Sequence, residues 1–199
     1  MPRSDEEKSQ RCLSALRNCG FDEIKYGISI TFDGKFQKSY DATSVLSKEG
    51  DSWHYFVFER DSTFDNAFFA NTDAALNFLF WNFVRPKPNY PIIYRDQGPG
   101  FDGLDESEDI KAFLFSCGHL GISPRRYHID AGNNPYSGNE DAWVCSKGEK
   151  GWRVSHARPG GDDIVGDFDN ADNALSFVFW TLTNAETYQQ RYDKIAAAS

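Results

Sequence analysis

A twelve-residue pattern of hydrophobic and polar positions occurs twice along the chain. The first copy runs from Asn71 to Asn82, and the second runs from Asn170 to Thr181, 99 residues later. Seven of the twelve positions are identical. Because this offset is about half of the 199-residue chain, the pattern predicts an internal duplication.

Each copy has the pattern of a buried helix. Asn71 and Asn170 stand just before an apolar run, where an Asn side chain can accept a hydrogen bond from the first turn. Asp73 and Asp172 place negative charge at the positive end of the helix dipole. The apolar positions follow helical spacing and form a wide stripe, which is typical of a mostly buried helix. We therefore interpret the conserved aromatic positions of the two copies as core residues.

The hydrophobic pattern before the first copy predicts a helix followed by antiparallel strands. Ser4 and Glu7 have capping-box spacing at the start of the helix, and Asp33-Gly34 is a hairpin signal. The predicted elements are a helix from Ser4 to Asn18, a strand from Ile24 to Phe32, a return strand from Phe36 to Tyr40, a polar loop over 41–51, and strands from Trp53 to Glu59 and from Phe64 to Ala70.

The second half repeats this plan. Gly20 and Tyr26 match Gly121 and Tyr127 at an offset of 101, whereas the tryptophans of the later strands match at 99, as loop insertions would produce. The predicted elements are a helix from Ser107 to Cys117, a strand from Tyr127 to Asp130, a hairpin of Trp143 to Ser146 with Gly151 to Ala157, a strand from Asp163 to Phe168, the repeated helix, and a helical extension from Tyr188 to Ala198.

These elements predict an α+β fold of tandem duplicated helix–antiparallel sheet–helix units packed together. The first unit covers residues 1–86. A connector rich in Pro and Gly covers residues 87–106, and the second unit with its C-terminal helical extension covers residues 107–199.

The charge of the chain limits its partners. The formal net charge is −9, which repels phosphate backbones and favours a basic protein surface over nucleic acid. No apolar run approaches the ~18 residues of a membrane span, so we expect no membrane insertion. The first residues lack the apolar core of a signal peptide, so we expect a cytoplasmic protein with reduced cysteines.

A search for catalytic and metal-binding motifs returns none with suitable spacing. The chain has no HExxH, GxSxG, phosphate-binding or dinucleotide-binding motif, and the acidic segment 162–173 lacks the terminal Glu of a calcium loop. His54 and His156 stand on predicted strands near the matched tryptophans, where a histidine at the edge of a core is the usual role. We therefore predict no catalytic residue, no metal ligand and no cofactor.

Three polar, Gly-rich loops are the expected contact regions. They cover residues 41–51, 133–141 and 158–163. Tyr, Trp and Arg are the side chains that most often dominate the energy of protein interfaces, and clustered acids suit a basic partner. The predicted partner-binding residues are Tyr136, Trp143, Arg158, Asp162, Asp163, Asp105 and Glu106.

The small acidic chain, with units that end in an Ala-Leu-x-Phe-x-Phe-Trp helix, resembles immunity proteins that neutralise bacterial toxins. One such family that the chain resembles is the immunity-factor family of the tuberculosis necrotizing toxin, an NAD-glycohydrolase. The resemblance covers the general plan and the segments Ala75 to Trp81 and Ala174 to Trp180, and it assigns no functional residue. It implies a non-enzymatic bacterial protein that occludes the active site of a toxin.

Two other functions remain open at this point. A small-molecule or adaptor module could use a cleft between the two repeats, and a ligand would then raise its melting temperature. An enzyme could use dispersed acids together with His156, and would then have a concave pocket with shifted pKa values. The immunity hypothesis instead predicts a tight, salt-sensitive complex with a basic partner.

Overall fold

The computed structural model describes residues 3–36, 38, 42–85, 106–132, 135–138 and 141–198. The chain divides into two compact units. The first unit contains Met1–Pro86 together with Ala185–Ser199, and the second contains Lys87–Asn184. Most of the predicted connector, including Asp105, lies outside the described residues.

Both halves of the described chain have a helix, a short helical turn, four strands and a second helix in this order, and the short turn of the second half is a 3₁₀ helix, Pro124–Arg126. The helices are α1 (Asp5–Asn18), α2 (Glu23–Tyr26), α3 (Thr72–Val84), α4 (Glu106–His119), α5 (Ala171–Leu182) and α6 (Tyr188–Ala198). The strands are β1 (Ile28–Thr31), β2 (Thr43–Glu49), β3 (Ser52–Glu59), β4 (Ser62–Phe69), β5 (Tyr127–Asp130), β6 (Ala142–Gly148), β7 (Gly151–Arg158) and β8 (Gly161–Phe168).

The sheet in each unit is mixed. The strands of the first unit pair in the order β1-β2-β3-β4, and those of the second pair in the order β5-β6-β7-β8. In each unit the first two strands are parallel and the other neighbours are antiparallel. The α+β class is therefore confirmed, but the expectation of a purely antiparallel sheet is wrong at the first strand of each unit.

The segment at Asp33-Gly34, where the sequence predicts a hairpin, forms a local side-chain turn, and three of the five residues of the predicted return strand, Phe36 to Tyr40, lie outside the described residues. The Asp33 carboxylate accepts hydrogen bonds from the Thr31 hydroxyl at 2.9 Å and from the Lys35 backbone at 3.1 Å. The next strand in the chain, β2, is parallel to β1 and occupies most of the predicted polar loop 41–51. Its apolar pair Val45 and Leu46 is fully buried, although the strand around it is polar.

The start of the first strand was also predicted too early. Residues Glu23–Tyr26 form the short helix α2, because the Asp22 side chain accepts hydrogen bonds from the backbone N–H groups of Ile24 and Lys25. Gly27 ends this turn with a φ of 60°, a left-handed conformation that favours glycine. Ile24, expected on a strand face, is 84% exposed.

The two units share one pairing register. Ile28 pairs with Ser44 as Tyr127 pairs with Trp143, with both residues shifted by 99 positions. The same shift relates the pairs of the other strands, including the bulge in the last strand. Tyr127 therefore takes the place of Ile28 and not, as the sequence comparison proposed, of Tyr26. Duplication as the origin of this likeness stays a prediction.

The repeated helices begin where the pattern predicted. The Asn71 side chain accepts a hydrogen bond from the backbone N–H of Ala74 at 2.8 Å, and that of Asn170 accepts one from Asn173 at 2.9 Å. In α3, apolar side chains on every side of the helix are fully buried, and Phe78 packs edge-on against Tyr55 of β3 at 5.0 Å. These aromatic positions are core positions, as predicted.

A chain of hydrogen bonds joins the sheet of the first unit to both of its main helices. The buried Trp53 indole donates to the Thr72 hydroxyl at 3.1 Å, and that hydroxyl donates to the Asp5 carboxylate at 2.6 Å. Lys48 of β2 lies 2.9 Å from the other Asp5 oxygen. The start of α1, the start of α3 and two strands are thereby held together by polar contacts.

The C-terminal helix α6 belongs to the first unit, whereas the sequence analysis grouped it with residues 107–199. The Tyr188 hydroxyl donates to the Asp73 carboxylate at 2.7 Å, and the Trp81 indole donates to the Glu186 carbonyl at 2.9 Å. Lys8 of α1 binds the other Asp73 oxygen at 2.8 Å. Asp73 thus anchors α6 to the first unit. The sequence indicated only a helix-dipole role for Asp73, so it did not predict that α6 belongs to this unit.

All four cysteines are free thiols. Cys12, Cys117 and Cys145 are buried, and burial raises the pKa of Cys117 to about 12.

Among the described residues, no helix has the length and apolar composition needed to cross a membrane.

Asp5 provides a test of the hydrogen-bond chain through pH. Hydrogen bonds from Thr72 and then Lys48 hold the pKa of Asp5 below its ordinary value. A carboxyl with a lowered pKa stabilises the folded state above its unfolded pKa of about 3.9, and this contribution is lost as the pH falls through the folded pKa. We expect Asp5→Asn to lower the free energy of unfolding by about 1 kcal/mol at pH 7.

The measurement is urea unfolding of wild type and Asp5→Asn between pH 7 and pH 3. The difference should shrink below about pH 4. Asp51→Asn, at an exposed turn position, is the matched control and should change stability little. A loss for Asp5→Asn that is equal at both ends of this pH range would contradict the assignment.

Candidate functional site

One row of side chains crosses the sheet of the second unit. Tyr127, Trp143, His156 and Asp163 are successive cross-strand partners on β5, β6, β7 and β8. Trp143 also contacts Phe177 of α5, with 6.2 Å between ring centroids, so the row lies on the face that α5 covers. Cross-strand neighbours on one face are close enough to interact directly.

The centre of this row is a stacked pair of rings. The Trp143 and His156 rings are nearly parallel, with an interplanar angle of 5° and 4.6 Å between centroids. Arg158 Nε donates a hydrogen bond to His156 Nδ1 at 3.0 Å, since a guanidinium has donors only. Nε2 therefore carries the imidazole proton and donates it to the Asp141 carboxylate. Both ring nitrogens are occupied, which fixes the orientation of the ring.

Charged groups surround this stack at the surface. Arg158 Nη1 lies 3.4 Å from the Asp163 carboxylate, and the two side chains are 55% and 66% exposed. The Asp141 side chain is 71% exposed. We call Asp141, Trp143, His156, Arg158 and Asp163 the Trp143 cluster. Besides the histidine, the cluster has two carboxylates and one guanidinium, an excess of one carboxylate.

The first unit has the same backbone register without this cluster. The corresponding residues, 99 positions earlier, are Ala42, Ser44, Val57, Glu59 and Phe64. Ser44 there accepts a hydrogen bond from the Tyr55 hydroxyl at 3.5 Å and supports no stacked ring. The fold of a unit therefore does not require the Trp143 cluster, which is particular to the second unit.

The structure brings together three of the predicted partner-binding residues, Trp143, Arg158 and Asp163. Asp162 is exposed, but it is the strand neighbour of Asp163 and so points to the opposite face of the sheet. Tyr136 packs against His128, with 5.3 Å between ring centroids, and His128 is the strand neighbour of Tyr127, so it points to the face opposite Trp143.

The other two predicted residues are not placed in the site. Asp105 lies outside the described residues. Glu106 is the first residue of α4, and its side chain lies outside the described part of the chain. Of the predicted contact loops, 158–163 is a two-residue turn between β7 and β8, and only residues 135–138 and 141 of the loop 133–141 are described.

Asp141 ends the predicted contact loop 133–141 without being named as a partner-binding residue, and the sequence did not indicate His156 as part of the binding surface. The signal that could have found His156 is the hairpin between β6 and β7. A two-residue connection pairs Gly148 with Gly151, and counting back along both strands places Trp143 opposite His156. The hairpin was predicted, but its register was not.

The groups near the cluster include a buried thiol and no arranged set of metal ligands among the described residues. Burial raises the pKa of Cys145, two residues along β6 from Trp143, so this thiol stays uncharged and unreactive. Within the described ranges, no group of three or more His, Cys, Asp or Glu side chains is arranged to hold a metal ion. The cluster combines two partly buried, stacked rings with exposed charged groups beside them.

Comparisons of this chain with protein-family models, with curated proteins and with solved structures return no match. The functional argument for this chain therefore depends on the geometry and charge of its own residues.

The comparison of the two units predicts that the cluster can be changed without loss of the fold. His156→Val introduces the residue of the first unit, so we expect the free energy of unfolding to change by less than about 1 kcal/mol. Trp152→Ala removes a core ring that is 1% exposed and should cost about 3–5 kcal/mol. Urea unfolding of both variants distinguishes the two cases, and a core-sized loss for His156→Val would show that the cluster is structural.

Proposed function

We propose that this chain is a non-enzymatic binding protein that uses the Trp143 cluster to bind a protein partner with a basic surface. We further propose that it is a bacterial, cytoplasmic immunity protein that neutralises a toxin by occluding its active site. The observation that carries the proposal is the presence of the cluster in one unit and its absence from the other, although both have the same register.

The composition of the cluster supports protein binding. Trp and Arg are enriched among the residues that contribute most to interface affinity. The stack on His156 holds Trp143 in one orientation before binding, which reduces the entropy lost on association. Asp141, Arg158 and Asp163 are more than half exposed and surround the rings with hydrogen-bonding groups, as the polar rim of an interface does.

Charge supports a basic partner. The cluster has an excess of one carboxylate, and the whole chain has a net charge of −9. Lys or Arg side chains of a partner can bind Asp141 and Asp163 from the solvent side, since both carboxylates are exposed. Complementary net charge accelerates association and makes it sensitive to ionic strength. These properties suit an inhibitor that must capture a toxin quickly.

The immunity assignment is supported by the general plan of the chain and by its resemblance to toxin immunity factors. The two helices that carry the resemblance are core elements of their units, so they support the architecture and leave the contact surface to other residues. The Trp143 cluster, outside those helices, is the surface we assign to toxin recognition.

The first experiment is a pull-down with the tagged full-length chain from lysate of its native host, including cells that express the neighbouring gene. We expect one stoichiometric partner with a basic surface, lost at high salt because surface charge pairs are screened. Trp143→Ala should weaken binding of the purified partner by about tenfold or more. Phe115→Ala, at an α4 residue that is 57% exposed, is the control and should bind like wild type.

Co-expression then tests the immunity assignment separately from binding. Wild type and Phe115→Ala should protect cells from the partner, and Trp143→Ala should protect poorly. A partner that binds through the cluster but is not toxic would overturn the immunity assignment alone. An empty pull-down, or equal binding by Trp143→Ala, would overturn the proposed binding function and favour a small-molecule module.

A further inference from the structure

The sheet of the first unit has a second face made of aromatic rings. Tyr55 and Phe69 contact Phe78 of α3, so their strand neighbours point to the opposite face. We call the rings on that opposite face the aromatic face; they are His54, Phe56 and Phe58 of β3, Phe68 of β4, and Phe36 from the segment after β1.

The rings of the aromatic face touch one another. His54 stacks on Phe68 with 4.2 Å between centroids and an interplanar angle of 13°. Phe36 packs edge-on against Phe56 at 5.7 Å and against Phe58 at 5.4 Å. Phe68 remains 45% exposed in the full chain, so this apolar surface reaches the solvent.

The second unit builds the same face from other residues. The positions of His54, Phe56, Phe58 and Phe68 correspond to Arg153, Ser155, Ala157 and Asp167. Arg153 makes two hydrogen bonds to Asp167, at 2.7 and 3.2 Å, where the first unit has the stack of His54 on Phe68. The sheet therefore does not require rings on this face. Contiguous apolar rings that reach the solvent are a candidate interaction surface.

The chemistry at the edge of the aromatic face indicates its occupant. Lys38 Nζ lies 4.3 Å from the Phe58 ring centroid and 3.0 Å from the Asp61 carboxylate, so the chain itself already places a cation between a ring and an acid here. Beside the stack of His54 on Phe68, the Glu49 carboxylate lies 3.2 Å from His54 Nδ1. The Glu49 side chain is 54% exposed.

We infer that the aromatic face docks a segment of a protein partner that combines apolar side chains with Lys or Arg. The apolar side chains cover Phe68, and the cation binds Glu49 beside the stacked rings, as Lys38 binds Asp61 beside Phe58. A second copy of the chain would bring the same carboxylates together, and nucleic acid or an anionic lipid surface would meet a chain of net charge −9.

This inference does not depend on the proposed function. The aromatic face belongs to the first unit and the Trp143 cluster to the second, and no residue is shared between them. Substitutions can therefore test each surface separately.

The test is selection of a phage-displayed random peptide library on immobilised full-length chain, followed by titration of synthetic peptides from the selected clones. We expect the clones to be rich in apolar residues and in Lys or Arg. Phe68→Ser should weaken their binding by about tenfold or more. Ile24→Ser, at an apolar residue of the same unit that is 84% exposed, should leave binding unchanged.

Glu49→Gln keeps every ring and should selectively weaken peptides that contain Lys or Arg. If Phe68→Ser proves unstable in a thermal melt, Glu49→Gln still tests the inference. Changes in the NMR chemical shifts of the backbone amides of residues 54–58 and 68 on peptide binding then provide a second measurement. The inference is overturned if no clones are selected, if the clones lack basic residues, or if Phe68→Ser and Glu49→Gln bind like wild type. Dimerisation or binding to anionic vesicles or RNA that Phe68→Ser abolishes would also overturn it, in favour of that occupant.

Discussion

The register of the central hairpin in each unit decides where the other side chains of the sheet lie. The turn of two residues between β2 and β3 pairs Glu49 with Ser52, and the matching turn between β6 and β7 pairs Gly148 with Gly151. A shift of one residue would exchange the two faces of every strand. With the observed register, Trp53 lies beneath the helices, where its indole begins the hydrogen-bond chain to Asp5.

The two units fill this register with mostly apolar residues at the buried positions and with different residue types at the less buried positions. Both units keep a buried Trp and Phe pair across the last two strands, Trp53 with Phe69 and Trp152 with Phe168. At less buried positions of the same register the units differ strongly. Ser44 corresponds to Trp143, and a salt bridge in one unit takes the position of a stacked ring pair in the other. The two proposed binding surfaces consist of residues at such positions.

The two surfaces share a physical design, an ordered ring pair with carboxylates beside it. In each pair a histidine stacks on a larger apolar ring, and an acid contacts the imidazole, Asp141 for His156 and Glu49 for His54. Stacking orders the ring before a partner arrives, and the carboxylates select basic over acidic partners. Together with the net charge of −9, these two surfaces are the basis for the proposed recognition of a basic protein.

The sequence by itself determined the α+β class, the Asn-capped repeated helices and most strands, because a strong apolar period and a capping residue act locally. It also indicated Trp143, Arg158 and Asp163 as candidate partner-binding residues. Only the tertiary structure decided that β1 is parallel to β2, that α6 packs on the first unit, and that His156 and Asp141 join Trp143. These features depend on contacts between residues far apart in the chain, where local pattern carries no information about direction, partner or register.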